Sequence, residues 1–270
     1  LRIESDRVFA RAAWRLIPVM MLMYVVSFLD RANISIAALT MNRDLGFSPQ
    51  AFGFGAGIFF WGYFLFEVPS NLMLERVGAR RWLSRIIITW AVISMGFAFV
   101  QGPVSFFILR FLLGVAEAGF YPGILLYFTY WFPAATRARI LALFCAGIPL
   151  SNIIGAPLSG WLLSFDAWGF KGWQWMYILE GIPTLALGFV ALWGLPDNPA
   201  KAKFLSAREK EIVLARLDQD PKGEVHGFGP MLRDWRVWAL IVPDFCIVFG
   251  IYALGFWMPQ MVKAMGYTNM

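Results

Sequence analysis

Residues that build disulfides and metal sites are scarce in this 270-residue sequence, which has two cysteines, Cys145 and Cys246, and one histidine, His226. Both cysteines lie in apolar runs, so the sequence predicts neither a disulfide framework nor a zinc site. His226 lies in a polar stretch, where we expect a solvated loop residue. Charge is scarce too, since 15% of the residues are Asp, Glu, Lys or Arg where a soluble domain has about 25%.

Motifs of common catalytic sites are also missing. The sequence contains no H-E-x-x-H, no G-x-S-x-G and no paired cysteines, so we do not expect an enzyme, a metal or an organic cofactor. No cleaved signal peptide is readable after Leu1, because a charged n-region, a short apolar region and a small-residue cleavage site are not found in order. We expect the first apolar run to act as the insertion signal.

Apolar runs dominate what is present. Hydrophobic residues make up 59% of the sequence and the mean hydropathy is +0.63. Runs of about 20 apolar residues, each long enough to cross a hydrocarbon core of about 30 Å, recur along the chain. The sequence therefore predicts an all-α membrane protein with seven spans, near residues 14–39, 51–74, 82–100, 104–131, 140–165, 176–195 and 235–257.

One long hydrophilic stretch divides these spans. We predict a six-helix transmembrane bundle over residues 1–195, a cytoplasmic linker over 196–234, and the start of a second bundle over 235–270, with the seventh span. Within the linker, Ser206 and Glu209 have the spacing of a capping box and predict an amphipathic helix to about Leu217. Seven spans is an odd number for a two-bundle architecture, so we expect a fragment of a longer chain.

The positive charges are distributed unevenly between the two sides of the membrane. Eighteen Lys and Arg residues fall on the side of the N-terminus and linker and three fall on the other side. The positive-inside rule therefore puts the N-terminus and linker in the cytoplasm, in a plasma membrane or a bacterial inner membrane. The same distribution accounts for the net charge of +6, so we do not expect nucleic acid as a partner. The expected partners are the lipid bilayer and a small solute.

Two apolar spans carry a pair of charged residues well inside them: Asp30 and Arg31 in the first, Arg110 and Glu117 in the fourth. Each such charge costs roughly 2.5–3.5 kcal/mol at a helix centre, so their presence indicates a function. Asp30 and Arg31 are about 100° apart around a helix and cannot both face one cavity. Arg110 and Glu117, seven residues apart, share one face about 10.5 Å apart.

Counted along the helices, Arg31 and Arg110 lie about 12 Å and about 9 Å from the same side of the membrane. If the six spans form an inverted repeat, the two arginines can bracket one anion near the midplane, and the planar guanidinium favours a carboxylate. Burial favours the neutral form of Glu117 and a nearby arginine favours its charged form, so Glu117 can load and release a proton. We predict the same function for Asp30. The alternative for all four is a static charge network between helices.

Several other polar residues are weaker candidates. Tyr24, Tyr63, Ser151, Asn152 and Tyr252 could hydrogen-bond a substrate or simply pack in the core. Glu180 and Asp244 could relay protons, although a contact at a helix end or between helices explains them better. The loop after the second span carries Glu75, Arg76, Gly78, Arg80 and Arg81, which could gate the cytoplasmic side or serve as a positive-inside turn.

Five stretches together resemble the anion:cation symporter family of the major facilitator superfamily. They are LDRANIS (29–35), EVPSNLMLERVGARRWLSR (67–85), RFLLGVAEAGFYPG (110–123), YWFPAATRAR (130–139) and GWQWMYILEGIP (172–183). The family includes tartrate, phthalate, galactonate and hydroxyphenylacetate permeases.

The resemblance implies the first six helices, the linker and the seventh helix of a twelve-helix, proton-coupled carrier, which we expect to be a monomer. It implies that Asp30, Arg31, Arg110 and Glu117 correspond to the family's functional charges. The superfamily's loop motif G-x-L-a-D-R-x-G-R-R is matched only in part, because Asn71, Glu75 and Ala79 depart from it. We expect uptake of a small organic carboxylate with protons. An anion exchanger, a uniporter and a non-transporting nutrient-sensing receptor remain alternatives.

Overall fold

The structure, a computed structural model, describes residues 2–220 and 233–266. The described residues are almost entirely helical, with one isolated β-bridge between Ala167 and Phe170. Their helices are α1 (Arg2–Asp44), α2 (Pro49–Val77), α3 (Ala79–Gly96), α4 (Pro103–Glu117), α5 (Phe120–Trp131), α6 (Ala134–Cys145), α7 (Gly147–Leu162), α8 (Gly172–Gly194), α9 (Ala207–Asp218) and α10 (Trp235–Ala264). The predicted all-α fold is confirmed. His226 lies outside the described residues.

Seven helical segments among the described residues are long and apolar enough to cross a bilayer. They coincide with the seven predicted spans, with α4 plus α5 forming the fourth and α6 plus α7 the fifth. The first helix is longer than predicted, because α1 includes the basic stretch before Trp14 and continues to Asp44. The chain is therefore a multi-pass membrane protein.

The fourth span is broken directly after Glu117. Ala118 has ψ 129°, and Gly119 has φ 83°, in the left-handed region that favours glycine. A Cβ on Gly119 would also lie 2.4 Å from Ser70 Oγ on α2. Apolar content alone predicts one span here, because the break depends on backbone geometry at two small residues.

The helices α2 and α4 cross at very short range because glycines face each other's backbone. A Cβ on Gly114 would lie 2.1 Å from the carbonyl oxygen of Phe59, and one on Gly62 would lie 2.4 Å from that of Phe111. Small residues at such crossings let backbones approach in lipid, where van der Waals packing drives helix association. The α2–α4 contact fixes α4, and with it Glu117, against the centre of the bundle.

The stretch after α8 packs against the bundle. The Arg80 backbone N–H donates to Asp197 Oδ1 at 3.0 Å, and the Tyr127 hydroxyl donates to the Pro196 carbonyl at 2.8 Å. The predicted capping box is formed, since Ser206 and Glu209 each accept from the other's backbone N–H. These hydrogen bonds from Ser206, the largest influence, and the ion pair with Arg11 hold the pKa of the Glu209 carboxyl below its ordinary value.

The α2–α4 crossing yields a stability prediction. Substituting Gly114→Ala forces its methyl group into the Phe59 carbonyl, and overpacking of this kind costs about 1–3 kcal/mol. The matched control is Gly160→Ala on α7, where an added Cβ meets nothing within 4 Å. Thermal unfolding of the purified protein in detergent should show a lower midpoint for Gly114→Ala only. Equal midpoints for the two variants would contradict the close crossing.

Candidate functional site

A buried ion pair between Arg31 on α1 and Glu117 on α4 lies at the centre of the bundle. Both Nε and Nη2 of Arg31 are 2.9 Å from Glu117 Oε2. The side chain of Glu117 is 1% exposed and that of Arg31 is 16% exposed. The second oxygen of the carboxylate, Oε1, has no hydrogen-bond partner among the described residues. Arg31 therefore neutralises a carboxylate that would otherwise be isolated in an apolar bundle.

Arg31 also reaches two cavities between the bundle and α10. One measures about 430 Å³ and the other about 570 Å³, and Arg31 lines both. Its Nη1 donates to the Tyr252 hydroxyl of α10 at 3.1 Å. Glu117 lines neither cavity. The guanidinium thus lies between open space and the buried carboxylate.

Aromatic side chains form most of the smaller cavity's wall. Its lining consists of Tyr24, Phe28, Arg31, Phe59, Phe60, Tyr63, Tyr121, Ile148, Val248, Ile251 and Tyr252. The Arg31 guanidinium lies 5.6 Å from the ring centre of Phe28 and 5.7 Å from that of Tyr63, within cation–π range. Tyr24 stacks on Phe144 with ring centres 4.2 Å apart. The cavity combines one cation with broad apolar faces.

Arg110 lies behind this wall, away from both cavities. Its Nε and Nη2 donate to the carbonyl oxygens of Gly55 and Ala56, each at 3.2 Å. It shares with Arg31 and Glu117 only a small void of about 10 Å³. The predicted arrangement, in which two arginines bind one anion, is not formed in this structure, because Arg110 donates its hydrogen bonds to backbone carbonyls of α2. Its contact with a substrate stays a prediction.

Asp30 faces a different side of α1 from Arg31, in keeping with the 100° offset between neighbouring helical residues. Its Oδ2 accepts a 2.6 Å hydrogen bond from Trp90 Nε1 on α3. Its Oδ1 lies 3.4 Å from the Ser94 hydroxyl. Asp30 is 3% exposed and lines none of the cavities beside Arg31. A proton-carrying function for Asp30 stays a prediction.

The other predicted residues divide between cavity and loop. Tyr24 and Tyr63 line the smaller cavity, and Asn152 lines the larger one. The loop residues lie at the α2–α3 turn, where Glu75, Arg76 and Arg81 are exposed, Gly78 has φ 96°, and Arg80 contacts Asp197 through its backbone. None of the loop residues lines these two cavities. A gating function for them would therefore not involve contact with a substrate in the cavities.

Sequence reasoning missed the aromatic wall. It named Tyr24 and Tyr63 for their hydroxyls, whereas Phe28, Phe60 and Tyr121 contribute ring faces. The spacing of Tyr24 and Phe28, four residues apart on one helix face, is the signal that could have found part of the wall. Among the described residues, no group of three or more His, Cys, Asp or Glu side chains could hold a metal ion.

Known proteins resemble this chain in sequence and in fold. A family model described as Major Facilitator Superfamily matches residues 20–270. A protein of Agrobacterium vitis named "Putative tartrate transporter" is 52% identical over 266 residues, which cover 97% of this chain and 59% of that protein. A Pseudomonas putida protein named "Putative metabolite transport protein NicT" is 47% identical over 270 residues, covering 98% of this chain and 62% of that protein.

Among solved structures, the partially occluded inward-open xylose transporter XylE of E. coli matches with a TM-score of 0.73 and 16% identity. The match covers 94% of this chain and 65% of that one. At this identity the likeness concerns the fold alone. The chain thus spans about 60% of the length of the curated relatives that it matches.

The buried ion pair yields a second stability prediction. Arg31→Met leaves the Glu117 carboxylate buried without its partner, which costs about 3–5 kcal/mol at neutral pH. The double variant Arg31→Met with Glu117→Gln removes both charges and should recover most of that loss. Thermal unfolding in detergent checks this order.

The control for that comparison is Arg43→Met, which removes an 80% exposed arginine from a loose 3.8 Å pair with Asp44. Exposed pairs contribute about 0–1 kcal/mol. A double variant that is less stable than Arg31→Met would contradict the pairing.

Proposed function

The chain belongs to the Major Facilitator Superfamily, and from this membership and its cavity geometry we propose that it forms part of a secondary active transporter. The transporter takes up a small organic carboxylate together with one or more protons, by alternating access, across a plasma membrane or a bacterial inner membrane. Its N-terminus and linker lie in the cytoplasm. The observation that carries the proposal is the position of Arg31, between open cavities and the buried Glu117.

Arg31 is the residue that we assign to the substrate carboxylate. It is the cation that lines both cavities, whereas Lys263 lines only the larger one and donates to the Leu39 carbonyl. A guanidinium offers five N–H donors in a fixed fork that matches a carboxylate. In this structure that fork is directed at Glu117 and Tyr252. An entering carboxylate must therefore compete with Glu117.

Protonation of Glu117 resolves this competition. A neutral Glu117 no longer holds the guanidinium by charge, so Arg31 can turn to the substrate. Without a proton, the bundle would hold two carboxylates around one cation, and like charges at close range cannot both stay ionised in an apolar site. The proton is taken up from the same side as the substrate and released when the substrate leaves. Proton uptake is then coupled to substrate uptake, because Glu117 and the substrate carboxylate compete for the same cation, Arg31.

The cavity walls favour a carboxylate with a flat apolar body. Rings of Phe28, Phe59 and Phe60 line the smaller cavity, and a planar substrate can stack on them while its carboxylate meets Arg31. Tyrosine hydroxyls and Asn152 offer hydrogen bonds to further polar groups. The name of the Agrobacterium vitis relative instead favours a hydroxy dicarboxylate, so both classes belong in a substrate screen.

The division into bundles and linker and the gating loop, both predicted from the sequence, are further parts of this proposal. Residues 1–195 form the first bundle, 196–234 the linker, and 235–270 the start of a second bundle. The α2–α3 turn, with Glu75, Arg76, Arg80 and Arg81 around Gly78, gates the cytoplasmic side. The contact of the Arg80 backbone with Asp197 supports a connection between that turn and the linker.

Uptake into proteoliposomes tests the proposal. Labelled aromatic acids, dicarboxylates and sugar acids are screened with and without an inward proton gradient. We expect one acid to accumulate above equilibrium only with the gradient. In Glu117→Gln, whose side chain carries no transferable proton, accumulation should fall to equilibration while counterflow of the labelled acid persists.

The matched control is Glu211→Gln, which changes an exposed carboxylate on α9 and should keep gradient-driven accumulation. Accumulation that survives Glu117→Gln unchanged would refute proton coupling through this residue. Gradient-independent equilibration by the unmodified protein would indicate a uniporter or exchanger, and binding without any uptake would indicate a receptor.

A further inference from the structure

The two cavities beside Arg31 follow one another along α1 and α10. On α1 the smaller cavity reaches back to Tyr24, whereas the larger cavity reaches forward to Leu39. On α10 the corresponding limits are Val248 and Lys263. Leu39 lies eight residues after Arg31, which is about 12 Å along a helix. The larger cavity therefore extends from Arg31 away from the end of the bundle where the linker helix α9 pairs with the first part of α1.

A hydrogen bond crosses the boundary between the two cavities. The residues that line both of them are Phe28, Arg31, Ile148, Ile251 and Tyr252. Within this set, Arg31 Nη1 on α1 donates to the Tyr252 hydroxyl on α10 at 3.1 Å, so the bond spans the space between the two helices. A solute that arrives from the end opposite α9 must therefore occupy the larger cavity before it reaches the smaller one.

The uncompensated charge of the larger cavity comes from Lys263. In the part of the chain that the structure describes, the charged residues that line this cavity are Arg31 and Lys263, and no Asp or Glu lines it. Glu117 balances the charge of Arg31. Lys263 Nζ donates to the Leu39 carbonyl at 2.7 Å, a partner without net charge. Since an ammonium has three N–H donors, Lys263 keeps its charge and further donors for an anion.

The other cations at this end of the bundle have a carboxylate partner. Arg43 Nε lies 3.8 Å from Asp44 Oδ1, and Lys171 Nζ lies 3.1 Å from the same oxygen. Neither cation lines the larger cavity. No ion pair within residues 2–220 and 233–266 includes Lys263. An anion in the larger cavity is therefore attracted first to Lys263.

We propose that the larger cavity is an anion-binding site of its own, in which Lys263 holds the carboxylate of an arriving acid before Arg31 binds it. A space of about 570 Å³ is much larger than an inorganic anion, so the ligand is a small organic acid. The Asn152 side chain lines the same cavity and can bond to a further polar group of that acid. The site depends on its charge and geometry alone, whereas its place in uptake rests on the proposed function.

Amine labelling of the purified protein in detergent tests the site without any transport measurement. A neutral acetylating reagent is applied with benzoate, tartrate or gluconate, or with chloride at the same ionic strength, and each labelled lysine is quantified by mass spectrometry. We expect at least one of the three acids to slow the acetylation of Lys263 several-fold. Lys171, an exposed lysine at the same end of the bundle, is the matched control and should be labelled equally throughout. Equal labelling of Lys263 in all four solutions would overturn the proposal.

Uptake kinetics test the place of Lys263 in transport. For the acid that the proteoliposome screen identifies, Lys263→Gln should raise KM about fivefold, the size expected of a partly exposed ion pair. The value of kcat should not change, because Arg31 and Glu117 are intact. Lys263→Arg should restore KM, since a guanidinium keeps the positive charge. Lys171→Gln should leave both constants unchanged.

The two experiments separate failure of the site from failure of the transport function. An unchanged KM in Lys263→Gln, or a loss of kcat that Lys263→Arg does not restore, would overturn the proposal and leave Lys263 as a cap of the last turn of α10. Protection of Lys263 by an acid that the unmodified protein does not transport would refute uptake of that acid and support the anion site.

Discussion

The rest of the bundle has to accommodate one buried guanidinium that faces one buried carboxylate. Arg31 and Glu117 are 2.9 Å apart, and removing one partner of such a buried pair costs about 3–5 kcal/mol. The pair also cannot be a closed unit, because Arg31 borders two cavities while Glu117 borders neither. The ion pair is therefore neutral and stable at rest, yet accessible to a competing anion from one side.

Backbone packing gives the pair its position. Gly62 and Gly114 bring α2 and α4 into near contact, and the left-handed Gly119 ends α4 immediately after Glu117. A break at that point leaves the carboxylate at a helix end, close to α1. On the other face of α1, Asp30 is held by Trp90 of α3. One helix thus carries two neighbouring charges in two separate environments.

Much of the fold could be predicted from composition. Apolar runs gave the seven spans, and Ser206 with Glu209 gave the linker helix, because hydropathy and capping are local properties. Helical periodicity also separated Asp30 from Arg31. The aromatic wall, the carbonyl partners of Arg110 and the break at Gly119 could not be predicted, since each depends on which helices meet. The contacts of Asp30 with Trp90 and Thr184 likewise depend on how α1 packs against α3 and α8.

We propose that the substrate carboxylate takes Arg31 from Glu117, which then binds a proton. Isothermal titration calorimetry of the transported acid, in buffers of different ionisation enthalpy, measures proton uptake on binding directly. We expect uptake of about one proton per bound acid in the unmodified protein, because two carboxylates compete for one cation, and no proton uptake in Glu117→Gln. Binding without proton uptake in the unmodified protein, or with equal uptake in both proteins, would contradict it.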